Sequence, residues 1–279
     1  GASDGDSRAA MASNAQGMTL GEASRTGQYW LMIVTFFLIG FVVQSIILHL
    51  VPLLTAPGTR EEKLALVANH LSVGAGYAYG SQGYTHHALE DIAVLRALPN
   101  MEVIVPADPA ETAALTHSII ASKKPTYLRL GKSGEPAIHT SALNISHGVI
   151  NEVSPGSSGT LIFAGSVGTV AVAAAKELAG QGISVAVASM PYVSTIDTTY
   201  IKKALSKGPL IVIEEHSYRG GVGAAVLEAM NVAHLSGAVG LIAADQNNLS
   251  QIGDQNYLRT ANGISVEKII AKFNALKVS

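Results

Sequence analysis

Hydrophobic and polar positions divide the chain into an irregular start, one long apolar stretch and a long region of regular alternation. Residues 1–28 are rich in Ala, Ser, Gly, Asp and Asn, and residues 1–17 show no apolar periodicity. Such segments bury too little apolar surface to offset the entropy that ordering would cost. We therefore expect residues 1–28 to form a disordered tail.

The next stretch, residues 29–56, contains no Asp, Glu, Lys or Arg. A helix of this length can cross the roughly 30 Å of hydrocarbon in a bilayer. Tyr29 and Trp30 stand at one edge of the stretch, where aromatic side chains favour a membrane interface. A buried core helix is the alternative, because a polar side chain such as His49 is easier to satisfy beside protein than in lipid. The pattern leaves open whether residues 31–54 lie in a membrane.

A Pro57-Gly58 turn and a short amphipathic helix complete a segment that spans residues 29–72. From Val73 to the end, apolar runs of strand length alternate with helical periods. Such alternation predicts an α/β fold whose mostly parallel sheet is covered by helices on both faces. The predicted strands are 101–105, 125–130, 160–164, 183–188, 209–213 and 239–243, and the predicted helices are 109–122, 165–178, 198–205, 220–232 and 266–276.

Composition narrows the functional classes. The net charge is −2 and no basic stripe is present, which argues against a nucleic acid partner. The chain has no Cys, so disulfides, thiolate metal sites and Cys nucleophiles are excluded. A cytoplasmic location agrees with this composition, and membrane association through residues 31–54 is the alternative.

The first candidate motif is a Gly-rich loop that carries two adjacent histidines, His86 and His87, before a helix with acidic residues in its first turn. Neutral His both donates and accepts, and it titrates near working pH. A loop His beside a strand is therefore a candidate acid–base group. The alternative interpretation is a pair of solvated side chains near the start of a helix.

The second candidate motif is Glu214-Glu215-His216, which follows a predicted strand and precedes glycines that open a helix. A helix N-terminus can bind an anion. Glycines at a strand-to-helix turn also serve close backbone packing, and we favour this structural interpretation.

These motifs resemble the C-terminal half of the transketolase family, which includes the deoxyxylulose-phosphate synthases. Residues 83–100, together with Pro106-Ala107-Asp108 and residues 125–132, are similar to the signature of the family's pyrimidine-binding domain. Residues 212–223 and 253–259 are similar to the family's C-terminal domain. The resemblance implies a partial pyrimidine-binding domain at residues 73–140 and a three-layer α/β/α C-terminal domain with mostly parallel sheet at residues 141–279, preceded by the apolar helix.

The resemblance also implies site residues. His86 matches the family's His that faces thiamine diphosphate and substrate, and Lys132 matches the basic residue that binds the sugar phosphate. Arg129 is a second phosphate-binding candidate, with a structural role in its strand as the alternative. Gln82 stands near the cofactor where many transketolases have an acid that contacts the donor's hydroxyls, and this puts a ketose donor in question.

Two parts of a complete thiamine diphosphate site have no counterpart in the sequence. No Gly-Asp-Gly motif with a downstream Asn is present to hold magnesium and the diphosphate, since Asp4-Gly5-Asp6 lacks the surrounding strand and helix. No Glu stands in the Gly-x-Ala-Glu context of the family's activating residue. We therefore expect no metal ligand in this chain, a homodimer or a diphosphate-domain subunit as partner, and a segment 1–72 that is foreign to the family.

Two functions follow from these observations. The first is thiamine-diphosphate-dependent two-carbon transfer to or from a sugar phosphate, carried out with a partner subunit. The second is a non-catalytic fusion or remnant whose C-terminal domain serves folding and dimerisation. Residues 28–56 also resemble one helix of a major-facilitator transporter, which would place such a remnant at a membrane.

Overall fold

The computed structural model describes residues 20–31, 72–73, 75–122, 124–139, 143, 145–245 and 251–277. The chain forms two compact units, Gly1–Gly58 and Thr59–Ser279. Apart from Leu31, the predicted apolar helix at 31–54 lies outside the described residues. The predicted amphipathic helix before residue 72 lies outside them as well.

The described part of the first unit is a short helical segment. Helix α1 spans Leu20–Ala23, inside the stretch for which a tail was predicted, and residues 27–31 are also helical. The Trp30 indole Nε1 donates to the carbonyl of Ser24 at 2.8 Å. Within the described part of the chain, no helix has both the length and the apolar character that a membrane crossing requires.

The second unit begins with a small parallel sheet. Its strands are β1 (Ser72–Val73), β2 (Glu102–Ile104) and β3 (Thr126–Leu130), in the order β1-β3-β2. Helix α2 (Asp91–Arg96) precedes β2, and helix α3 (Pro109–Ala121) connects β2 with β3. Asp108 caps α3 as predicted, because its carboxylate accepts from the Glu111 amide at 2.9 Å and satisfies a donor that the first turn leaves unpaired.

A five-stranded sheet follows, in the order β4-β6-β5-β7-β8. Only its edge strand β4 is antiparallel, to β6, while the other neighbours pair in parallel. The strands are β4 (Asn151–Ser154), β5 (Thr160–Ala164), β6 (Ala186–Ser189), β7 (Leu210–Ser217) and β8 (Val239–Ala244). The helices are α4 (Gly168–Gly180), α5 (Thr198–Lys207), α6 (Val222–Val232), α7 (Gln255–Ala261) and α8 (Val266–Lys277).

Helices cover both faces of the larger sheet. Side chains of α4 and α8, such as Leu178 and Phe273, share one buried cluster with one set of strand residues. Side chains of α5 and α6, such as Ile201 and Val226, share a second cluster with the alternate set. Strands β5, β6 and β7 are buried along their whole length, as central parallel strands are. The prediction of an α/β fold with a mostly parallel sheet is confirmed.

The two sheets are joined through the backbone after β6. Ile104 of β2 forms an antiparallel bridge with Tyr192. The Val105 amide donates to the Pro191 carbonyl at 2.8 Å, and the Gly165 amide donates to the Val105 carbonyl at 3.2 Å. These bonds bring the carboxyl ends of β2, β3 and β5 to one side of the second unit.

The structure extends the prediction in four places. Strands β1 and β4 and helix α7 are additional elements, and β7 continues four residues past the predicted end at 213 to reach Ser217. The sequence places Glu214, Glu215 and His216 after the strand because charged side chains are rare in a strand interior. They are nevertheless buried within β7, since each finds a polar partner there.

Candidate active site

His86 lies on a loop, residues 77–87, which we call the His86 loop. Its backbone forms two 3-10 turns, Gly80–Gln82 and Tyr84–His86. The ends of the loop are closed by Gly76 and Ala88, whose amides each donate to the other's carbonyl at 3.1 Å. The loop is therefore a compact element with a fixed base.

The two histidines of the loop occupy different environments. His86 is exposed, and its Nδ1 lies 3.0 Å from the Thr85 hydroxyl. The His87 ring is half-buried, stands edge-on to Tyr77 with ring centroids 5.2 Å apart, and has its Nε2 3.3 Å from the Gly80 carbonyl. Of the two, His86 presents its ring to solvent, while His87 packs against the loop. Gln82 is exposed on the same loop.

A cleft of about 490 Å³ opens at the carboxyl ends of β2, β3 and β5. Clefts at this end of parallel strands are the usual ligand sites of open α/β sheets. Lys132, two residues after β3, lines the cleft and is exposed. The Ala75 amide donates to the Leu130 carbonyl at 3.1 Å, so the chain that enters the His86 loop runs beside the strand end that leads to Lys132.

Asp108 fixes one wall of this cleft. Besides capping α3, its carboxylate accepts from the amides of Ile138 and His139 at 2.8 and 2.7 Å. These backbone hydrogen bonds outweigh the effect of burial and hold the pKa of Asp108 below its usual range. The segment after Lys132 is thereby tied to the start of α3 along one wall of the cleft.

Arg129 is buried, and its guanidinium is held by several acceptors. Its Nε donates to the Asp91 carboxylate at 2.7 Å, and its Nη2 donates to the Ala88 carbonyl at 2.6 Å. Burial favours the neutral form of Asp91, but the charge and hydrogen bonds of Arg129 prevail and hold the pKa of Asp91 below its usual range. These contacts support the structural alternative for Arg129. Of the two phosphate-binding candidates, Lys132 is the accessible one.

Glu214 caps helix α6 from inside β7. Its carboxylate accepts from the amides of Val222 and Gly223 at 2.6 and 3.0 Å, and this closes the helix N-terminus that an anion would otherwise occupy. Burial raises the pKa of Glu214 to about 7, against the effect of these two hydrogen bonds. The Glu214 carboxylate thus occupies the position that a bound anion would take, which supports the structural interpretation of the second motif.

The raised pKa of Glu214 predicts a pH dependence of stability. An unfolded Glu titrates near pH 4.3, so between this pH and about 7 the folded state holds a proton that the unfolded state has released. Stability from this group is therefore complete below about pH 4 and is lost as pH rises, at about 1.4 kcal/mol per unit. Burial lowers the pKa of His216, which acts in the opposite direction.

Denaturation of the wild type and the Glu214→Gln variant between about pH 5 and 8 isolates this effect, because the other titrations cancel in the difference. We expect the advantage of the wild type over the variant to shrink as pH rises. A difference that stays constant across this range would contradict the raised pKa.

Gly76 at the base of the His86 loop cannot carry a side chain. Its φ is +63°, and a Cβ there would lie 2.7 Å from Glu215 Cγ. Backbone strain of about 1–2 kcal/mol and overpacking of about 1–3 kcal/mol should add in Gly76→Ala. Gly134→Ala is the control, since Gly134 has a φ of +88° and nothing within 4 Å. We expect denaturant unfolding to show the larger loss of unfolding free energy for Gly76→Ala. Equal losses in the two variants would mean that the Glu215 side chain moves aside at no cost.

Two side chains that the sequence assigns to a thiamine diphosphate site are accessible in the structure. The His86 loop carries an exposed imidazole ring and the exposed amide of Gln82. Among the described residues, no group of three His, Asp or Glu side chains could hold a metal ion.

Comparison with known proteins identifies the family of the chain. Residues 10–135 match the transketolase pyrimidine binding domain, and residues 148–269 match the transketolase C-terminal domain. The two matches together include most of the chain. The chain therefore belongs to the transketolase family and carries its pyrimidine-binding and C-terminal domains.

Individual relatives agree with the domain matches. The chain is 36% identical to a subunit of the apulose-4-phosphate transketolase of Phocaeicola vulgatus over 58% of this chain and 52% of that protein. It is 34% identical to a putative transketolase C-terminal section of Methanocaldococcus jannaschii over 59% of this chain and 51% of that protein. The chain thus spans about half the length of these relatives.

A solved structure shares the fold. It is a split gene transketolase described as an inactive beta4 tetramer, and it superposes with a TM-score of 0.64 at 28% identity. The superposition covers 74% of this chain and 64% of the other. The α/β fold of this chain is thus also that of a transketolase encoded by a split gene.

The comparisons also correct several expectations. The major-facilitator resemblance of residues 28–56 finds no support, and the pyrimidine-domain match includes these residues. The same match begins at residue 10, so most of the segment 1–72 is not foreign to the family. Membrane association, a non-catalytic remnant and a homodimer likewise find no support. Hydropathy alone does not distinguish a core segment from a membrane segment, so apolar composition by itself could not decide between them.

Proposed function

We propose that this chain is the subunit of a split transketolase that supplies the pyrimidine-binding and C-terminal domains for thiamine-diphosphate-dependent two-carbon transfer. The observation that carries the proposal is the pair of domain matches, at residues 10–135 and 148–269. The relative from Phocaeicola vulgatus is itself named as one subunit of a transketolase. The exposed ring of His86 supports the same function.

Three residues of this chain have separate roles in the proposed reaction. His86 moves a proton to or from substrate oxygen, since a positioned neutral imidazole performs both directions near neutral pH. Lys132 binds the sugar phosphate as a point charge, at the mouth of the cleft. Gln82 contacts the donor through hydrogen bonds of an uncharged amide. Thiamine diphosphate supplies the carbanion chemistry when it is bound.

Activity requires a second subunit that holds the diphosphate and the magnesium ion. The described residues contain no cluster of side chains that could hold the metal, and the related split gene transketolase is described as inactive when it is a beta4 tetramer. We propose that this chain alone folds and is inactive, and that the partner closes over the cleft. We propose residue 140 as the boundary between the two domains, with the pyrimidine-binding domain extending back to about residue 10, where its match begins.

Reconstitution tests the proposal. The chain is mixed with a diphosphate-domain subunit of a split transketolase, thiamine diphosphate and magnesium, and two-carbon transfer between sugar phosphates is measured together with cofactor binding. We expect transfer only when both subunits and the cofactor are present. Cofactor binding and turnover that stay absent with every cognate diphosphate-domain subunit would overturn the proposal.

A further inference from the structure

We propose that Glu215 is a positioning residue for His86, because it ties the base of the His86 loop to the C-terminal domain. The inference rests on the proposed function, since that function gives His86 its role in transfer. Glu215 lies in β7 of the C-terminal domain, whereas His86 belongs to the pyrimidine-binding domain. The proposal assigns this C-terminal domain a part in the geometry of the site.

The Glu215 carboxylate contacts the loop where it begins. Its Oε1 accepts from the amide of Tyr77, the first residue of the loop, at 2.5 Å. A Cβ on Gly76 would lie 2.7 Å from Glu215 Cγ, so the side chain rests directly against the paired backbone of Gly76 and Ala88. A short charge-assisted hydrogen bond at this point fixes the direction in which the loop leaves the base.

The charge of this carboxylate is compensated on the C-terminal domain side. Glu215 is 3% exposed, and its Oε2 accepts from Arg259 Nε. Gln255 Nε2 donates to Oε1 at 3.3 Å, and Arg259 Nη2 donates to the Ser166 hydroxyl at 2.8 Å. A buried ion pair is by itself weak evidence for stability. Its use here is to hold one carboxylate oxygen in place for the Tyr77 amide.

A second bond holds the other side of the loop base to the same residue. Arg129 Nη2 donates to the carbonyl of Ala88 at 2.6 Å and to the backbone carbonyl of Glu215 at 3.1 Å. The two strands of the base are therefore both fastened to Glu215, one through its side chain and one through its backbone. Rotation of the loop about its base is opposed from both sides.

The tip of the loop is held by the helix that supplies Arg259. The Gly253 amide lies 3.5 Å from the Gly80 carbonyl, and the side chain of Leu258 packs where a Cβ on Gly80 would stand. A Cβ on Gly83 would meet Ile252 Cδ1 at 3.7 Å. Because α7 and its preceding turn contact the tip while α7 also binds Glu215, a single rigid support spans the loop from base to tip.

This support should matter for the rate more than for substrate binding. A misplacement of about 1 Å at a reacting group costs about 10²-fold in rate. The described hydrogen bonds of Glu215 do not include Lys132, so sugar phosphate binding should survive their disruption. We expect Glu215→Ala to lower kcat about 10²-fold while KM for the sugar phosphate stays within about 2-fold. Glu215→Gln keeps an oxygen for the Tyr77 amide and should lose less.

The experiment compares Glu215→Ala and Glu215→Gln with Glu228→Gln. Glu228 accepts from Arg96 at 2.6 Å, so the control removes an ion pair between the same two domains without touching the His86 loop. Amide hydrogen exchange of residues 76–88 is measured on the full chain without partner or cofactor. We expect about 10-fold faster exchange there in Glu215→Ala than in the control, and a smaller increase in Glu215→Gln.

The two readouts have separate consequences. Equal exchange of residues 76–88 in the folded Glu215 variants and the control would overturn the positioning role, whatever the activity. In the reconstituted enzyme, a fall in kcat together with a rise in KM of similar size would also overturn it, because such a change indicates general loss of structure. If Glu215→Ala fails to fold, Glu215→Gln carries the same comparison. Absence of transfer in the wild-type assembly defeats the proposed function, while hydrogen exchange still decides whether Glu215 holds the loop.

Discussion

The His86→Ala variant is expected to lose about 10²–10⁴-fold in kcat when it is assembled with a diphosphate-domain subunit, because a positioned acid–base group contributes this much. Its fold should be unchanged, since the His86 ring is exposed and its Nδ1 contacts the adjacent Thr85 hydroxyl at 3.0 Å. Circular dichroism and denaturant unfolding of the free chain would check the fold, and steady-state transfer kinetics would measure the rate.

The matched control is His117→Ala. His117 is also an exposed histidine, and it lies on α3 rather than on the His86 loop. We expect wild-type kinetics from this variant. A His86→Ala enzyme that retained full kcat would show that His86 takes no part in the reaction. An equal loss of kcat in His117→Ala would show that the effect is not specific to His86.

The second large effect is expected from Arg129→Leu, which should lower the free energy of unfolding by about 3–5 kcal/mol. The substitution takes the guanidinium away from the Asp91 carboxylate, which keeps the hydroxyl of Tyr127 as a donor at 2.7 Å. It also removes the donor from the carbonyls of Ala88 and Glu215. Urea denaturation at neutral pH would measure the loss.

Two further variants test the cause of this loss in unfolding free energy. Lys132→Ala removes an accessible cation a few residues along the chain and should stay within about 0.5 kcal/mol of the wild type. Adding Asp91→Asn to Arg129→Leu removes the unpaired charge and should recover part of the stability, as coupled partners do in a double-mutant cycle. An Arg129→Leu chain as stable as the wild type would show that Arg129 is free for a ligand.

Both effects concern a site whose walls come from two domains. Arg129 of the pyrimidine-binding domain bonds Glu215 of the C-terminal domain, and Arg96 bonds the carbonyls of Gly220 and Gly221 at 2.7 and 3.2 Å. Buried Glu111 on α3 accepts from Ser189 in β6 at 2.9 Å. Because the cleft lies where β2, β3 and β5 end, these bonds fix the walls of the site relative to one another.

Much of the fold was predictable because local rules and burial agree. The Asp108-Pro109 start of α3 follows from capping and from the missing amide of proline, and the structure has it. Strand β5 occupies the predicted residues, Thr160–Ala164, since a short apolar run between turn signals fits a central parallel strand. The edge strand β4 escaped prediction because half-exposed polar residues carry little periodic signal.

Of the candidate site, the sequence by itself determined the family and singled out His86 as a candidate. The motif around His86 is local, since its spacing and its Gly residues lie close together in the chain, and it is specific enough to indicate the pyrimidine-binding domain. What only the tertiary structure decided is which side chains are accessible and which are engaged. In the sequence Arg129 is a candidate phosphate-binding residue and Glu215 belongs to a strand-to-helix motif, yet in the fold each is buried against a partner, 38 and 138 positions away respectively. Sequence patterns report local periodicity, whereas the pairing of buried charges is set by strands and loops that meet only in the folded chain.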